Sequence, residues 1–212
     1  MRNFLIVLVL FAGCSGNTTK EEEVKSTVVV ENSVNSSNIK EDPGFIANGA
    51  AKTQEFYDPK LYSVLDSAEG DLNLDDFKDK ILVLNSVDEE KFPESARPLL
   101  LLTGCKDGSF KLAARNDSIV MCKRCGGVFG DPFDDVVIKK GYFSIEHYGG
   151  SAWRWSRIIT FKYSKAIDNW VLYRDAGVSY HTSDPDKTED IVTNKEDYGK
   201  LTFAEFNNQK GF

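Results

Sequence analysis

Oxygen-bearing residues alternate along one short acidic segment of the chain, residues 70–79. Oxygen ligands at positions 1, 3, 5, 7 and 9 of a loop can wrap around Ca²⁺, which prefers several hard oxygen donors. An apolar run that begins at Ile81 follows directly, so a strand would fix one end of such a loop. The predicted calcium ligands are the side chains of Asp71, Asn73, Asp75 and Asp79 and the main-chain carbonyl of Phe77.

The acidic segment lacks the bidentate glutamate that closes an EF-hand, because Leu82 stands at the twelfth position. Residues 70–79 instead resemble the G-D-[LV]-[ND]-x-D-G-x-D-D signature of FG-GAP and VCBS-type repeats, found in integrin α-chain propellers and many bacterial surface proteins. That resemblance implies a calcium ion that pins a β-hairpin loop. Asp76 replaces the signature's glycine, which makes a turn that favours positive φ. An acidic turn of the same shape without metal is the alternative, and the sequence leaves both open.

A pair of cysteines marks a second segment that could carry chemistry. Cys122 and Cys125 have the C-x-x-C spacing of a short disulfide loop, of half a zinc site and of thioredoxin-like redox sites. Zinc would need further ligands from Cys105, His147 or His181. The thioredoxin-like redox interpretation needs the motif at the start of a helix after a strand, whereas glycines follow it here. We therefore favour a structural disulfide or inert thiols, with metal binding and redox chemistry as alternatives.

A hydrolase built around His147 and Glu146 is the catalytic alternative. No nucleophile motif such as G-x-S-x-G accompanies the two histidines of the chain. Adjacent residues of a strand also point to opposite faces, so this pair would not converge without a cleft. We assign no catalytic residues and favour a protein that is not an enzyme.

Aromatic residues at strand spacing could form a platform for a sugar ring, with Arg154 or Arg157 as its polar partner. The alternative is a core role, because alternate residues from 153 to 163 form one largely apolar face of a strand. Arg157 shares that face, so it should be paired or lie at a rim, since a lone buried charge is costly. The candidate platform residues are Tyr148, Trp153, Trp155 and Tyr180.

The N-terminal segment predicts where the protein resides. Arg2 precedes an apolar run over residues 4–12, which fits a secretion signal and is too short to cross a bilayer as a helix. Residues 11–14, Phe-Ala-Gly-Cys, resemble the lipobox of bacterial lipoproteins, which implies that Cys14 becomes the acylated first residue of the mature chain. Ordinary secretion and an uncleaved anchor are the alternatives.

Residues after Cys14 bear on which membrane the lipid enters. Ser15 follows, with no aspartate, which in enteric bacteria favours the outer membrane. Residues 20–23, Lys-Glu-Glu-Glu, resemble the surface-export signals of Bacteroidetes lipoproteins, although a solvated charge run would look the same. We expect a cell-envelope protein anchored to the outer membrane, with its periplasmic or surface-exposed side left open.

The charge composition limits which classes of partner the protein can bind. The chain of 212 residues has 26 Lys+Arg and 33 Asp+Glu, a formal charge of −7. Loss of Arg2 with the signal leaves 25 basic residues against 33 acidic ones, or −8. This balance argues against nucleic acid and anionic lipid as main partners. The expected partners are a membrane, through the N-terminal lipid, and a glycan or envelope-protein ligand.

Polar stretches and short apolar runs divide the chain into a signal peptide (1–13), a disordered tether (14–44) and a single β-rich FG-GAP-like domain (45–212). Residues 52–67 are expected to form a helical or irregular lead-in. Turn residues then separate short apolar runs, as between consecutive antiparallel strands, with hairpins at Asp107-Gly108, Lys140-Gly141 and Asp168-Asn169. The predicted strands cover residues 81–86, 98–103, 110–115, 119–121, 136–138, 142–148, 153–163 and 170–174.

The predicted fold class is therefore all-β, mainly an antiparallel meander, sandwich-like or propeller-blade-like. Few helices are expected, because no stretch keeps an apolar period near 3.6 residues. Residues 97–102, 125–133 and 147–155 also resemble recurring blocks of an uncharacterised group of bacterial lipoproteins. That resemblance covers about residues 65–205 and implies no activity.

Overall fold

The computed structural model describes residues 53–194, 197 and 199–208. The predicted signal peptide, Cys14, the tether, the export-like segment 20–23 and residues 45–52 of the predicted domain lie outside the described residues. Within the described part, a short 3-10 helix, Gln54–Phe56, precedes the strands. These are β1 (Tyr62–Gly70), β2 (Asp79–Ser86), β3 (Arg97–Gly104), β4 (Phe110–Val120), β5 (Phe133–Lys139), β6 (Tyr142–Gly150), β7 (Trp153–Ser164), β8 (Asn169–His181) and β9 (Asp184–Asn194).

The strands form two antiparallel sheets in which each strand pairs with its neighbours in sequence. One sheet has the order β1-β2-β3-β4 and the other has the order β5-β6-β7-β8-β9. Tight turns suffice for such meanders, because antiparallel neighbours need no crossover connection. The predicted all-β antiparallel meander is confirmed. Nowhere in the described ranges is a helix both long and apolar enough to cross a membrane.

Apolar residues from both sheets share one buried cluster, so the sheets pack face to face as a sandwich. Phe143 stacks on Phe161 with ring centroids 5.2 Å apart, and Phe203 meets both rings edge-on. Fully burying one such side chain contributes roughly 1.5–3 kcal/mol. Other members with no exposed surface are Leu72, Ile81, Val83, Leu99, Leu101, Ile119, Ile145, Ile159 and Leu172.

The segment after β9 completes this core. Phe203 and Phe206 are both buried, and the Phe203 amide donates to the Trp170 carbonyl at 2.8 Å. The buried Asn116 on β4 donates from Nδ2 to the carbonyls of Phe203 and Phe206 at 2.5 and 2.8 Å. The C-terminal segment is thus hydrogen-bonded to both sheets.

The central strands of the first sheet are buried on both faces. Leu82, Leu84, Leu100 and Leu102 point away from the shared core and form a second buried cluster. Partly buried aromatic residues pack against it: Phe56, Tyr57, Tyr62 and Phe110. Strands covered on both sides have near-continuous apolar sequences, as β2 and β3 do.

The three predicted hairpins are confirmed. Gly108 and Gly141 have φ of 76° and 75° in the β3–β4 and β5–β6 turns, a backbone region in which glycine has no steric cost. Asp168, with φ 49°, turns the chain between β7 and β8.

Parts of the strand prediction were wrong, and β8 also runs seven residues beyond the predicted end at Arg174. Residues 62–67, expected in the lead-in, belong to β1, and residues 119–120 continue β4 instead of starting a new strand. The strand β9 was not predicted. Both β1 and β9 are edge strands that pair on one side only. They are polar and mostly exposed, so their sequences lack the apolar alternation of a half-buried strand.

Candidate functional site

The acidic segment forms the loop that joins β1 to β2. Carboxylate oxygens of Asp71, Asp75 and Asp79 all lie within 4.8 Å of one another. Asn73 lies beside them, since its Nδ2 donates to Asp75 Oδ2 at 2.8 Å. The Phe77 amide donates to Asp75 Oδ1 at 2.9 Å. The five predicted ligand residues therefore lie between the end of β1 and the first residue of β2, and the three carboxylates among them converge.

Two non-glycine residues turn this loop with left-handed backbone. Leu74 has φ 65° and Asp76 has φ 67°. Asp76 occupies the glycine position of the sequence signature, and aspartate is one of the few residue types that tolerate this region. Asp71 Oδ1 accepts from the Leu74 amide at 2.6 Å, which caps the turn locally. The aspartate at the glycine position is thus accommodated.

Asp79 is the buried carboxylate of the three. Its Oδ2 accepts from the Leu72 amide at 2.6 Å and its Oδ1 from the Gly104 amide at 2.8 Å. Burial raises the pKa of Asp79, the two backbone hydrogen bonds partly offset that rise, and the negative charge of Asp75 adds to it. Asp79 thus ties the acidic loop to the end of β3, and its ionised form would gain from a nearby cation.

The acidic loop is also anchored to the second sheet. Leu72 is fully buried, and its carbonyl accepts from Trp170 Nε1 at 2.9 Å. The Asp71 carbonyl accepts from the Gly141 amide, in the β5–β6 turn, at 2.8 Å. A ligand bound by this loop would therefore stabilise contacts between the two sheets.

The cysteine motif lies at the other end of β3. Gly104, at the end of β3, contacts Asp79, whereas Arg97, at its start, donates from Nη1 to the Met121 carbonyl at 3.3 Å. We call residues 121–130 the cysteine loop. Turns follow β4 here, so the helix that a thioredoxin-like site would need is not found in this part of the described chain.

Cys122 and Cys125 form a disulfide that does not include Cys105. Glu94 Oε2 lies 3.0 Å from Cys122 Sγ, and this oxygen and the two sulfurs lie within 4.8 Å of one another. The histidines proposed from sequence do not join this group in the described ranges. Sequence reasoning missed Glu94, because it lies 28 residues from Cys122 and no local pattern links them.

A cleft of about 390 Å³ opens beside the disulfide. Cys125 is exposed while Cys122 is buried, so solvent reaches one cysteine far more than the other. Glu94, Met121 and Arg157 are among the other residues that line the cleft.

Two buried arginines support the walls around the cysteine loop. The Arg97 side chain has no exposed surface and forms ion pairs with Glu89 and Asp131, both at 2.6 Å. Arg157, predicted to be paired or to lie at a rim, donates from Nε and Nη2 to the two Asp175 carboxylate oxygens at 2.8 and 2.6 Å. Bidentate arginine–carboxylate pairs of this kind are strong and hold both side chains in one geometry.

The residues of the hydrolase alternative do not converge. His147 is 2% exposed, and its Nε2 accepts from the Met121 amide at 3.2 Å. Burial and the positive charge of Arg157 lower the pKa of His147 to about 4, so the ring is neutral. Glu146 is half-buried on the opposite face of β6, away from His147.

The predicted aromatic platform is divided between two faces of the second sheet. Tyr148 is exposed and contacts Phe129, with ring centroids 5.2 Å apart. Trp153 instead contacts His181 at 5.3 Å, and Trp155 lies against Gly149. Strand alternation puts both tryptophans on the face opposite to Tyr148, so these three residues do not share one surface.

A different ring cluster surrounds Tyr148. The Arg154 guanidinium lies 4.1 Å from the centroid of the exposed Phe129 ring. Tyr180 is close enough for the Tyr148 hydroxyl to raise its pKa. Sequence reasoning missed Phe129, because it lies in the cysteine loop, outside any strand pattern.

Comparison of this chain with protein-family models, with curated proteins and with solved structures found no match. Function must therefore be inferred from the chain's own residues.

Proposed function

We propose that this protein is a lipid-anchored component of the cell envelope with a non-catalytic binding or structural role, stabilised by Ca²⁺ in its acidic loop. The observation that carries the proposal is the convergence of carboxylate oxygens of Asp71, Asp75 and Asp79 within 4.8 Å. The membrane anchor rests on the predicted lipidation of Cys14. An acylated cysteine would hold the domain at a membrane surface.

The donor set of the acidic loop suits Ca²⁺. Carboxylates are hard oxygen ligands, and Ca²⁺ accepts several of them in flexible geometry. Asp71, Asp75 and Asp79 repel one another when all are ionised, and a divalent cation would replace that repulsion with attraction. Asn73 and the Phe77 carbonyl supply the other oxygens of the proposed ligand set. With oxygen donors alone, the loop does not favour softer metals.

The exposed ring cluster supports the binding part of the proposal. Phe129, Tyr148, Tyr180 and Arg154 combine aromatic faces with a guanidinium at one surface. Such surfaces stack on sugar rings and also suit protein partners, where tyrosine and arginine are enriched among energetically important residues. A glycan or an envelope protein is the proposed ligand of this surface.

The geometry gives the hydrolase alternative no support. His147 and Glu146 point to opposite faces of β6, and His147 is enclosed by protein. A general base must reach the proton it removes, and this pair shares no cleft among the described residues. The non-catalytic role is therefore the one we propose.

Thermal unfolding of the full-length chain, first with chelator and then with excess Ca²⁺, tests the calcium site. At Ca²⁺ about 100-fold above Kd, binding to the folded state alone adds about 2.7 kcal/mol. For a domain of this size we expect Tm to rise by roughly 5–10 °C. Asp75→Asn removes a converging carboxylate that is exposed, so it should abolish the rise and leave the fold intact.

Asp76→Asn is the matched control, because Asp76 lies in the same loop but outside the converging carboxylates. It should keep the calcium-dependent rise in Tm. An unchanged Tm for the wild-type chain, or an equal rise in the Asp75→Asn variant, would show that the acidic loop is a turn without metal.

Membrane fractionation tests the anchor. The wild-type chain should sediment with membranes in a bacterial host that processes lipoproteins, and Cys14→Ser should release it into the soluble fraction. Cys105→Ser is the control for loss of a cysteine as such and should remain with the membranes. Equal membrane association of all three chains would contradict lipidation at Cys14.

A further inference from the structure

The two sulfurs of the disulfide have different environments. Cys125 is exposed at the cleft, whereas Cys122 is about nine-tenths buried. Thiol–disulfide exchange begins when an external thiolate attacks one sulfur along the axis of the S–S bond, and access decides which sulfur is attacked. The geometry therefore selects Cys125 as the sulfur that meets external thiols and Cys122 as the sulfur that leaves.

An acid–base group lies beside the buried sulfur. Glu94 Oε2 lies 3.0 Å from Cys122 Sγ, in direct contact with it. In the dithiol form this carboxylate could accept the Cys122 proton, which a buried thiol must lose before it can act as a nucleophile. Glu94 itself is exposed at the cleft, so it can exchange that proton with water.

The chain around the cysteines is held independently of the S–S bond. The Cys125 amide donates to the Cys122 carbonyl at 3.0 Å, so the turn between them is closed by the backbone. The Gly126 amide donates to the Gly130 carbonyl at 2.8 Å, the Gly126 carbonyl accepts from the Gly150 amide at 2.9 Å, and Arg97 donates to the Met121 carbonyl. A bond between residues three apart also closes a very short loop, which constrains the unfolded chain least. Reduction should leave two thiols side by side in a folded protein.

We propose that Cys122 and Cys125 form a reversible thiol–disulfide exchange site, with Glu94 as its acid–base residue and small or peptide dithiols and disulfides as substrates. This activity is additional to the calcium-stabilised binding role and does not depend on it.

Oxidation of an external dithiol takes two successive thiolate attacks. One substrate thiolate attacks Cys125 Sγ, and the S–S bond breaks with its electron pair on Cys122, which then takes a proton. The second substrate thiolate then attacks the substrate sulfur that is bonded to Cys125. This step forms the substrate disulfide and releases Cys125 as a thiolate, which is also protonated. Two electrons and two protons pass from substrate to protein, so the products are a substrate disulfide and the Cys122–Cys125 dithiol.

Reduction of an external disulfide follows the reverse path. The Cys125 thiolate attacks the substrate, and one substrate sulfur leaves as a thiolate and is protonated. Cys122 gives its proton to Glu94 and attacks Cys125 Sγ, which releases the second substrate thiol. Glu94 acts at this resolving step, because it lies next to Cys122.

The test uses the full-length chain with Cys14→Ser and Cys105→Ser, which leaves only the two cysteines of the motif. The chain is equilibrated in buffers of reduced and oxidised dithiothreitol, quenched with acid and alkylated, and its thiols are counted by mass spectrometry. We expect a two-electron transition between disulfide and dithiol, with the far-UV circular dichroism of the β-fold unchanged. Reduction that occurs only with loss of the fold would overturn the proposal and identify a structural disulfide.

Single-cysteine variants test the assignment of the two sulfurs. In the same background, C122S leaves Cys125 and C125S leaves Cys122, and each is reacted with neutral 4,4′-dithiodipyridine. Cys125 should react at least about tenfold faster than Cys122, because it is the exposed sulfur. Equal rates, or a faster Cys122, would contradict the assignment.

E94Q tests the acid–base role, with E90Q as its control. Glu90 lies four residues before Glu94 and pairs with Lys123, but it is not part of the group whose oxygen and sulfur atoms lie within 4.8 Å of one another. E94Q should slow the attack of Cys122 on the mixed disulfide by about tenfold or more and flatten the pH dependence of that rate. E90Q should match the parent chain. Equal rates and pH profiles in E94Q and the parent would remove Glu94 from the mechanism.

Discussion

The acidic loop and the cysteine loop lie at opposite ends of β3 and are held in different ways. Most side-chain hydrogen bonds of the acidic loop join residues a few positions apart, such as Asp71 with Leu74 and Asp75 with Phe77. Two longer-range bonds, from the Gly104 amide and from Trp170 Nε1, then tie this locally shaped loop to the sheets. The cysteine loop depends on partners 24 to 34 residues away, as the contacts of Arg97 with Met121 and Asp131 show. One loop is shaped mainly by its own sequence, and the other by the assembled sandwich.

The largest expected effect removes the long-range support of the cysteine loop. Arg97→Ala leaves Glu89 buried without its partner, which should lower the free energy of unfolding by about 3–5 kcal/mol. Arg115→Ala breaks an exposed pair with Asp117 and should cost less than about 1 kcal/mol. Urea unfolding of the full-length chain at pH 7 measures both losses. Equal losses in the two variants would show that the Arg97 network does not hold this end of the sandwich.

A second effect at the same end depends on pH. Burial lowers the pKa of His147 from 6.5 to about 4, so between these values the unfolded chain binds a proton that the folded chain does not. Stability from this group is therefore present above pH 6.5 and falls as the pH drops toward 4, by about 2 kcal/mol between pH 7 and pH 5. His147→Gln keeps a hydrogen-bond acceptor for the Met121 amide and should remove most of this loss.

His181→Gln is the control for that measurement, because His181 is the other histidine of the chain. Urea unfolding at pH 7 and pH 5 should give the same difference for His181→Gln as for the wild type. If the His147→Gln chain lost as much stability as the wild type, His147 would not be the group that titrates.

The smallest expected effect concerns the acidic loop, where local geometry already tolerates the residue present. Asp76→Gly relieves a left-handed backbone but gives the unfolded chain more freedom, so stability should change by less than about 1 kcal/mol. The pair with Lys140, at 3.8 Å and largely exposed to water, adds little. Urea unfolding in chelator checks this, and a loss above about 2 kcal/mol would show that the loop needs the Asp76 carboxylate.

The sequence predicted features that depend on nearby residues better than features that depend on distant ones. Alternating oxygen ligands predicted the acidic loop, and the turn glycines placed two of the hairpins correctly. The strands β1 and β9 escaped prediction, because edge strands with polar residues carry no period-2 apolar pattern. The predicted platform of Tyr148, Trp153 and Trp155 does not form a single surface. Tyr148 pairs with Ser156, the neighbour of Trp155, so its ring points to the opposite face of the sheet from the two tryptophans.

The sequence by itself determined the antiparallel meander, the acidic loop and the need for Arg157 to find a partner. Each of these follows from residues close together in the chain, where spacing alone decides which groups share a face or a turn. Only the tertiary structure decided that Asp175 is that partner, that Glu94 lies beside Cys122 and that Phe203 completes the core. These contacts join residues from 18 positions apart upward, and they arise from strand register and from sheet packing, which no local pattern specifies.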